Sequence, residues 1–264
     1  MSDTQPARPA STILLLRNGP TGLEVLMVER NVASEFASGA LVFPGGRVDD
    51  ADMSPDLHQH CRRLPGEDPL ATGLRVAGVR ETWEEARMLL ARPIGTDHLL
   101  TAEELEALEI RVAARIGRAP DFTDLATSGE IELATDTMVR FSHWITPEGR
   151  PKRYDTHFFL APMPTDQKPQ GDGHETVHTI WISPGDAIAG GETKRFTVVF
   201  ATRLNLGQLA RDTNVATAMA RAAKSDIVTV CPEMLTVAGR RILRLPIAAG
   251  YGGPDFDADD IPIP

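Results

Sequence analysis

The sequence predicts an α+β domain, or a layered α/β/α one, on three observations. Short apolar, β-branched runs are set between dense turn signals. Two longer segments carry apolar residues at helical spacing. Strands and helices interleave without the strand–helix–strand alternation of a parallel sheet. The 264 residues suffice for one large domain, expected over 11–246 between a loose tail at 1–10 and a Gly/Pro/Asp-rich C-terminal tail at 247–264.

Taken in order, "STILLLR" and "LEVLMVER" flank the turn "NGPTG" and predict a hairpin. "GALVF" is a third short strand, stopped by "PGG". Residues 50–72 lack periodicity and carry Pro55, Pro65 and Pro69, which predicts a long surface loop with a short helix. "GLRVAGVRETWEEARMLLA" is the clearest helix, with Val76, Val79, Trp83, Ala86 and Leu90 on one side and Pro93 to stop it. "TAEELEALEIRVAARIG" is a second, opened by a capping box of Thr101 and Glu104. "HFFLAPM" and "VHTIWIS" read as strands, and the Ala-rich stretch 202–224 as helical. "DIVTVCPEMLTVAGRRILRLP" reads as two strands about Ala238-Gly239.

The formal charge is −10 and no Lys/Arg run occurs, which argues against a nucleic-acid polymer as partner. No stretch approaches the roughly 20 apolar residues of a membrane span, and the start "MSDTQPARPA" lacks the apolar core of a secretory signal. Cys61 and Cys231 form neither a zinc pattern nor a disulfide framework. A cytoplasmic setting is the simplest expectation, with a homodimer left open.

The informative segment is "RETWEEA". On a helix, Glu81, Glu84 and Glu85 share a face, at i, i+3 and i+4, and Arg80 stands at i, i+4 to Glu84. Such a face is either simply solvated or gathers a hard divalent cation, which takes carboxylate and phosphate oxygens. Upstream, "VFPGGRVDD" ends a strand in Pro44-Gly45-Gly46, where the missing Cβ atoms permit close approach to a metal or phosphate.

FPGG followed by RETWEE resembles the Nudix hydrolase signature, G-x5-E-x7-REUxEExGU with U aliphatic. Gly46 would be its first Gly, Arg80-Glu81 its RE and Glu84-Glu85 its EE, and Asp52 stands at the spacing of its first Glu. The Gly46-to-Arg80 separation is about 20 residues longer than in the signature, and Arg87 stands where the closing Gly would be, inside a helix expected to continue to Leu90. "LMVERN", "ALVFPGGRVDDAD", "SHWITPEGRPKRYDTHFFLAPMP" and "PEMLTVAGRRILRLP" further resemble the peroxisomal coenzyme A diphosphatases and their bacterial relatives, a branch with an insertion in the same place.

The resemblance implies a Nudix-type α/β/α sandwich with a mixed sheet, an insertion at about 50–72 and extra helices. It also implies Mg²⁺ or Mn²⁺ held by Glu81, Glu84, Glu85 and a Gly45 carbonyl, with Arg80 orienting a glutamate. Water attacks phosphorus, and Glu81 or Glu175 takes its proton. Arg30, Gly46, Arg153 and Tyr154 are expected to meet the substrate. Arg150, Lys152 and Arg153 also read as a basic loop balancing an acidic protein, Trp144 and Tyr154 as packing aromatics, and Glu175 as a loop acid. Histidines 143, 157, 174 and 178 are read as mainly structural. Coenzyme A or an acyl-CoA is the implied substrate, with NADH, ADP-ribose, or a binding-only module as the rivals.

Overall fold

The computed structural model describes residues 6–30, 39–150, 152–171 and 176–258. β1 (Arg8–Gly19) and β2 (Gly22–Arg30) form the expected hairpin, closed at Gly19 opposite Gly22. β3 (Leu41–Val42) pairs with β2, and β4 (Gly45–Arg47) with the first part of β1. α1 (Pro55–His58), α2 (Pro69–Ala86), β5 (Ala91–Pro93), α3 (Ala102–Ile116), α4 (Phe122–Ala126) and β6 (Ile131–Leu133) follow. Then come β7 (Val139–Ile145), β8 (Tyr154–Pro162), β9 (Thr176–Ile182), α5 (Pro184–Glu192), α6 (Phe200–Leu209) and α7 (Val215–Ala222). β10 (Thr229–Val230), β11 (Glu233–Val237), β12 (Arg240–Arg244) and β13 (Asp255–Asp257) end the described chain.

The main sheet runs β10-β7-β8-β1-β2-β3, with β4 beside β1 and β9 beside β2. It is mixed: β1 runs parallel to β8 and β7 to β10, while β1–β2, β2–β9 and β7–β8 are antiparallel. β1 lies near its centre, and its side chains alternate between two cores. Ile13 and Leu15 pack with Val76, Val79 and Trp83 of α2 and with α3 and α4. Leu14 and Leu16 pack with Leu206 and Leu209 of α6 and Ala218 of α7. A strand covered on both faces must be apolar at successive positions, which is why "ILLL" shows no alternation. The layered α/β/α architecture expected from the sequence is therefore present. Gly78 marks the crossing of α2 over β1, because a Cβ there would stand 2.9 Å from Ile13 Cγ1 and Ser11 Oγ.

Several expectations need correction. The short helix expected within residues 50–72 is present as α1, but the stretch is more ordered than a surface loop. It contains a 3-10 turn (Asp50–Met53), α1 and the start of α2, and it buries Asp52, Leu57, His58 and Cys61. Each short element contributes only one or two anchors, so no period arises. The Ala-rich stretch divides into α6 and α7, with Asn214 capping the second through Thr217 N at 2.9 Å. The tails are also shorter than expected. β1 begins at Arg8, and β13 adds to β12 while Tyr251 donates to Asn205 Oδ1 at 3.0 Å. Polar, Pro-rich composition hid these edge pairings. The β11–β12 hairpin and the Thr101–Glu104 capping box are as expected. Among the described residues no helix is long and apolar enough to cross a membrane.

α2 ends at Ala86 instead of continuing to Leu90. Arg87 takes the left-handed conformation (φ 55°, ψ 30°), and its N–H donates to Trp83 O at 2.9 Å. Position 87 therefore makes the turn that a glycine makes most cheaply. The guanidinium lies 5.0 Å from the Trp83 ring centroid, a contact worth about 0.5–1 kcal/mol that offsets part of the strain. Arg87→Gly is expected to change stability by less than about 1 kcal/mol, since relief and loss oppose each other. Arg87→Val, β-branched at positive φ, is expected to cost about 2 kcal/mol. Urea midpoints of the two variants check the contrast.

Candidate active site

Proline and glycine at 44–46 end the β3 segment and turn the chain into β4, which lies antiparallel against Ala10–Thr12 of β1. This places the glycine bend directly beneath the C-terminal half of α2. A Cβ on Gly46 would stand 2.3 Å from Glu81 Oε1, so only glycine lets the bend and that carboxylate come together. Gly45 N–H donates to Glu85 Oε2 at 3.0 Å, fixing a carboxylate that is 3% exposed.

Arg80 organises the cluster. Its Nε and one terminal nitrogen each donate to Asp52 at 2.9 Å, a bidentate pair with a fully buried carboxylate. The second terminal nitrogen reaches Glu84 at 2.8 Å and Glu81 at 3.0 Å, and Arg47 O accepts from the first at 2.8 Å. Burial opposes the guanidinium charge, but the Asp52 hydrogen bonds and the charges of Glu81, Asp52 and Glu84 outweigh it and raise the pKa. Glu81 shifts the other way for an acid. Burial, aided by Glu84, raises its carboxyl to about 7 against the opposing pull of Arg80.

That shift has a consequence for the metal-free protein. Below about pH 4.5 Glu81 is protonated whether folded or unfolded. Between 4.5 and about 7 the folded state binds more protons, so stability falls as pH rises through that window. The full loss, on the order of 3 kcal/mol, is reached above pH 7. Glu81→Gln is therefore expected to be more stable than wild type at pH 8 and equal to it at pH 4.5, in denaturation curves recorded with a chelator. A variant less stable at both values contradicts the assignment.

The carboxylates face a cavity of about 550 Å³. α2 contributes Arg80, Glu81, Glu84 and Glu85, the glycine bend contributes Gly45, Gly46, Arg47 and Asp49, and β1 and β8 contribute Ala10, Thr12, Tyr154 and Thr156. Arg30, from the end of β2, closes the ring 4.0 Å from Glu85 Oε1, and its Nε is buried with no hydrogen-bond partner among the described residues. The donor set suits a hard divalent cation, because it is all oxygen, carboxylate-rich and open on one side to a substrate. All three glutamates are already partnered: Glu81 and Glu84 share Arg80, and Glu85 meets Gly45 N–H and Arg30. A cation entering there would exchange these contacts for its own.

Most of the expected site residues meet here: Arg30, Gly45, Gly46, Arg80, Glu81, Glu84, Glu85 and Tyr154. Arg153 does not line the cavity; its Nε donates to Thr146 O at 3.0 Å. Glu175 and His174 lie outside the described residues. Trp144 is a core residue, 6% exposed, donating to Tyr251 Oη at 3.1 Å. His143 and His157 stack across β7 and β8. Burial, with the neighbouring His143, lowers the His157 pKa to about 4, so that ring is neutral near pH 7. Asp49 was not foreseen as a site residue, and Asp52 was marked only by its spacing from Gly46, at the place of the signature's first Glu. Thr12 and Thr156 have no such signal, because only the β1–β8 pairing brings them in.

The family model of the NUDT19 Nudix domain matches residues 58–198. Acyl-coenzyme A diphosphatase NUDT19 of Gallus gallus is 29% identical over 229 residues, covering 64% of this chain and 56% of that protein. The Homo sapiens protein of the same name is 26% identical over 223 residues, covering 70% and 57%. The chain thus spans little more than half the length of these relatives. The crystal structure of a Nudix hydrolase from Alicyclobacillus acidocaldarius superposes with a TM-score of 0.65 at 25% identity, covering 86% of this chain and all of that one. The matched region, more than half of the sequence, includes the α2 carboxylates and Arg80, and the chain belongs to the Nudix hydrolase family.

Proposed function

We propose that this protein is a metal-dependent diphosphatase acting on coenzyme A or acyl-CoA, giving 3′,5′-ADP and (acyl-)4′-phosphopantetheine. The observation that carries the reading is the Arg80 frame. One guanidinium, anchored on buried Asp52, holds Glu81 and Glu84 at the mouth of the cavity while Gly45 holds Glu85. A solvated acidic face would need neither a buried anchor nor a glycine at the point of closest approach. The substrate assignment is supported by the relatives named acyl-coenzyme A diphosphatase.

In this reading Glu81, Glu84, Glu85 and the Gly45 carbonyl would hold Mg²⁺ or Mn²⁺, which when bound would supply charge neutralisation of the diphosphate and a lowered pKa for the attacking water. The protein's own groups do the rest. Arg80 fixes the orientation of Glu81 and Glu84 through charge-assisted hydrogen bonds. Glu81 accepts the water proton, with Glu175 as the alternative acceptor. Arg30 meets a phosphate oxygen through its unpartnered Nε, and Tyr154 and Thr156 border the leaving nucleotide. A cytoplasmic setting fits the two cysteines, both free thiols.

A substrate panel tests the assignment: CoA, acetyl-CoA, NADH, ADP-ribose and a dinucleoside polyphosphate, each with Mg²⁺. CoA-type compounds are expected to have the highest kcat/KM. Preference for NADH or ADP-ribose would keep the chemistry and discard the substrate, and binding without turnover of any of the five would discard both.

A further inference from the structure

On the α2-facing side of the sheet, the strand register brings together three side chains that the catalytic reading does not use. His143 of β7 is the direct partner of His157 on β8, and Asp155 stands two residues before His157, so all three project from one face. The imidazole rings stack with centroids 4.0 Å apart and planes inclined by 17°. His143 Nε2 is hydrogen-bonded to Asp155 Oδ1, and His157 Nε2 lies 3.6 Å from the same oxygen. One ligand atom from each residue falls within 4.8 Å of the other two. The side chains are partly covered, at 13%, 35% and 18% exposure for His143, Asp155 and His157, leaving a side open to water.

Two imidazoles and one carboxylate are a set that divalent ions of the zinc class prefer, whereas Mg²⁺ takes oxygen donors. A tetrahedral ion about 2.1 Å from each ligand needs donor atoms roughly 3.4 Å apart. His157 Nε2 and Asp155 Oδ1, 3.6 Å apart, are already near that separation, and rotation of the side chains by about an ångström at their tips lengthens the His143–Asp155 contact to match. Beyond the ligands, Thr229 of β10 is paired with His143 in the sheet, and its Oγ1 lies 2.8 Å from His143 Nδ1. An ion on Nε2 would replace the Nε2 contact with Asp155 and place the ring proton on Nδ1, where Thr229 Oγ1 can accept it, as an outer partner of a metal-bound histidine does.

We propose that His143, Asp155 and His157 form a second metal site, for a zinc-class divalent ion, separate from the carboxylates of α2. Along β8 the ligands Asp155 and His157 alternate with Tyr154 and Thr156, which line the cavity from the opposite face. An ion bridging β7 and β8 therefore fixes the strand that carries those two residues.

The test is calorimetric titration of the demetallated full chain with Zn²⁺ in saturating Mg²⁺, which fills the hard-oxygen site. About one equivalent of tight binding is expected. His157→Gln is expected to weaken it at least 100-fold, and Thr229→Val by about 10-fold. Zinc binding that is absent in wild type, or unchanged in His157→Gln, overturns the proposal. Should a variant not fold, wild type with Co²⁺ in the same buffer decides. Intense visible bands of a tetrahedral ion support the site, and only weak six-coordinate bands overturn it.

Discussion

Glu85→Gln is expected to lower diphosphate turnover about 10³-fold, equivalent to about 4 kcal/mol of transition-state stabilisation. The substitution keeps the shape and an oxygen to accept from Gly45 N–H, now 3.0 Å from the carboxylate. The fold and the glycine bend are therefore retained, with a thermal midpoint within a few degrees of wild type. What goes is one negative charge at a side chain 3% exposed. Arg30 lies 4.0 Å from that charge, and the carboxylate borders the cavity, well placed to bind a cation. The loss should appear in kcat more than in KM, because the charge acts on the reacting diphosphate. A variant retaining a third or more of wild-type kcat would remove Glu85 from the metal set.

Asp52→Asn is expected to cost about 3 kcal/mol of stability and to lower activity with it. Asp52 is fully buried and makes the bidentate pair with Arg80. It also accepts from Asp49 N–H at 2.8 Å, closing the turn that starts the inserted segment. Removing the charge leaves the Arg80 guanidinium buried against a neutral amide. Arg80 still has Glu81, Glu84 and Arg47 O, which places the cost at the lower end for a broken buried pair. The urea midpoint measures the stability term. Activity measured well below that midpoint then separates misplacement of Glu81 and Glu84 from unfolding. A stability change under 1 kcal/mol would mean that Asp52 is not the anchor.

Much of this site was legible because its chemistry is local. Glu81, Glu84 and Glu85 share a helical face by spacing alone, Arg80 reaches Glu84 by the same rule, and the Gly45-Gly46 bend follows from composition. The hairpin of β1 and β2 was legible for the same reason. Asp52 was only half legible: its spacing from Gly46 is a signal, but the path of 28 residues from Asp52 to Arg80 had no period to guide it. Arg87 was misread because apolar residues at 88–90 continue the helical pattern in sequence while the chain has already turned into the core, where Met88, Leu89 and Leu90 are buried. The His143–Asp155–His157 cluster was not legible, because histidines on two strands meet only through register. Thr12 and Thr156 enter the cavity for the same reason, through the parallel pairing of β1 with β8, two strands far apart in the chain.

The most direct measurement is Mn²⁺ binding followed by electron paramagnetic resonance in wild type and in the Glu84→Gln/Glu85→Gln double variant, each shown to be folded. Bound Mn²⁺ in wild type that is displaced by Mg²⁺ and weakened at least 10-fold in the variant is the predicted result. Equal binding in both proteins would contradict the claim that these α2 carboxylates, drawn to the glycine bend by Arg80 and Gly45, hold the ion.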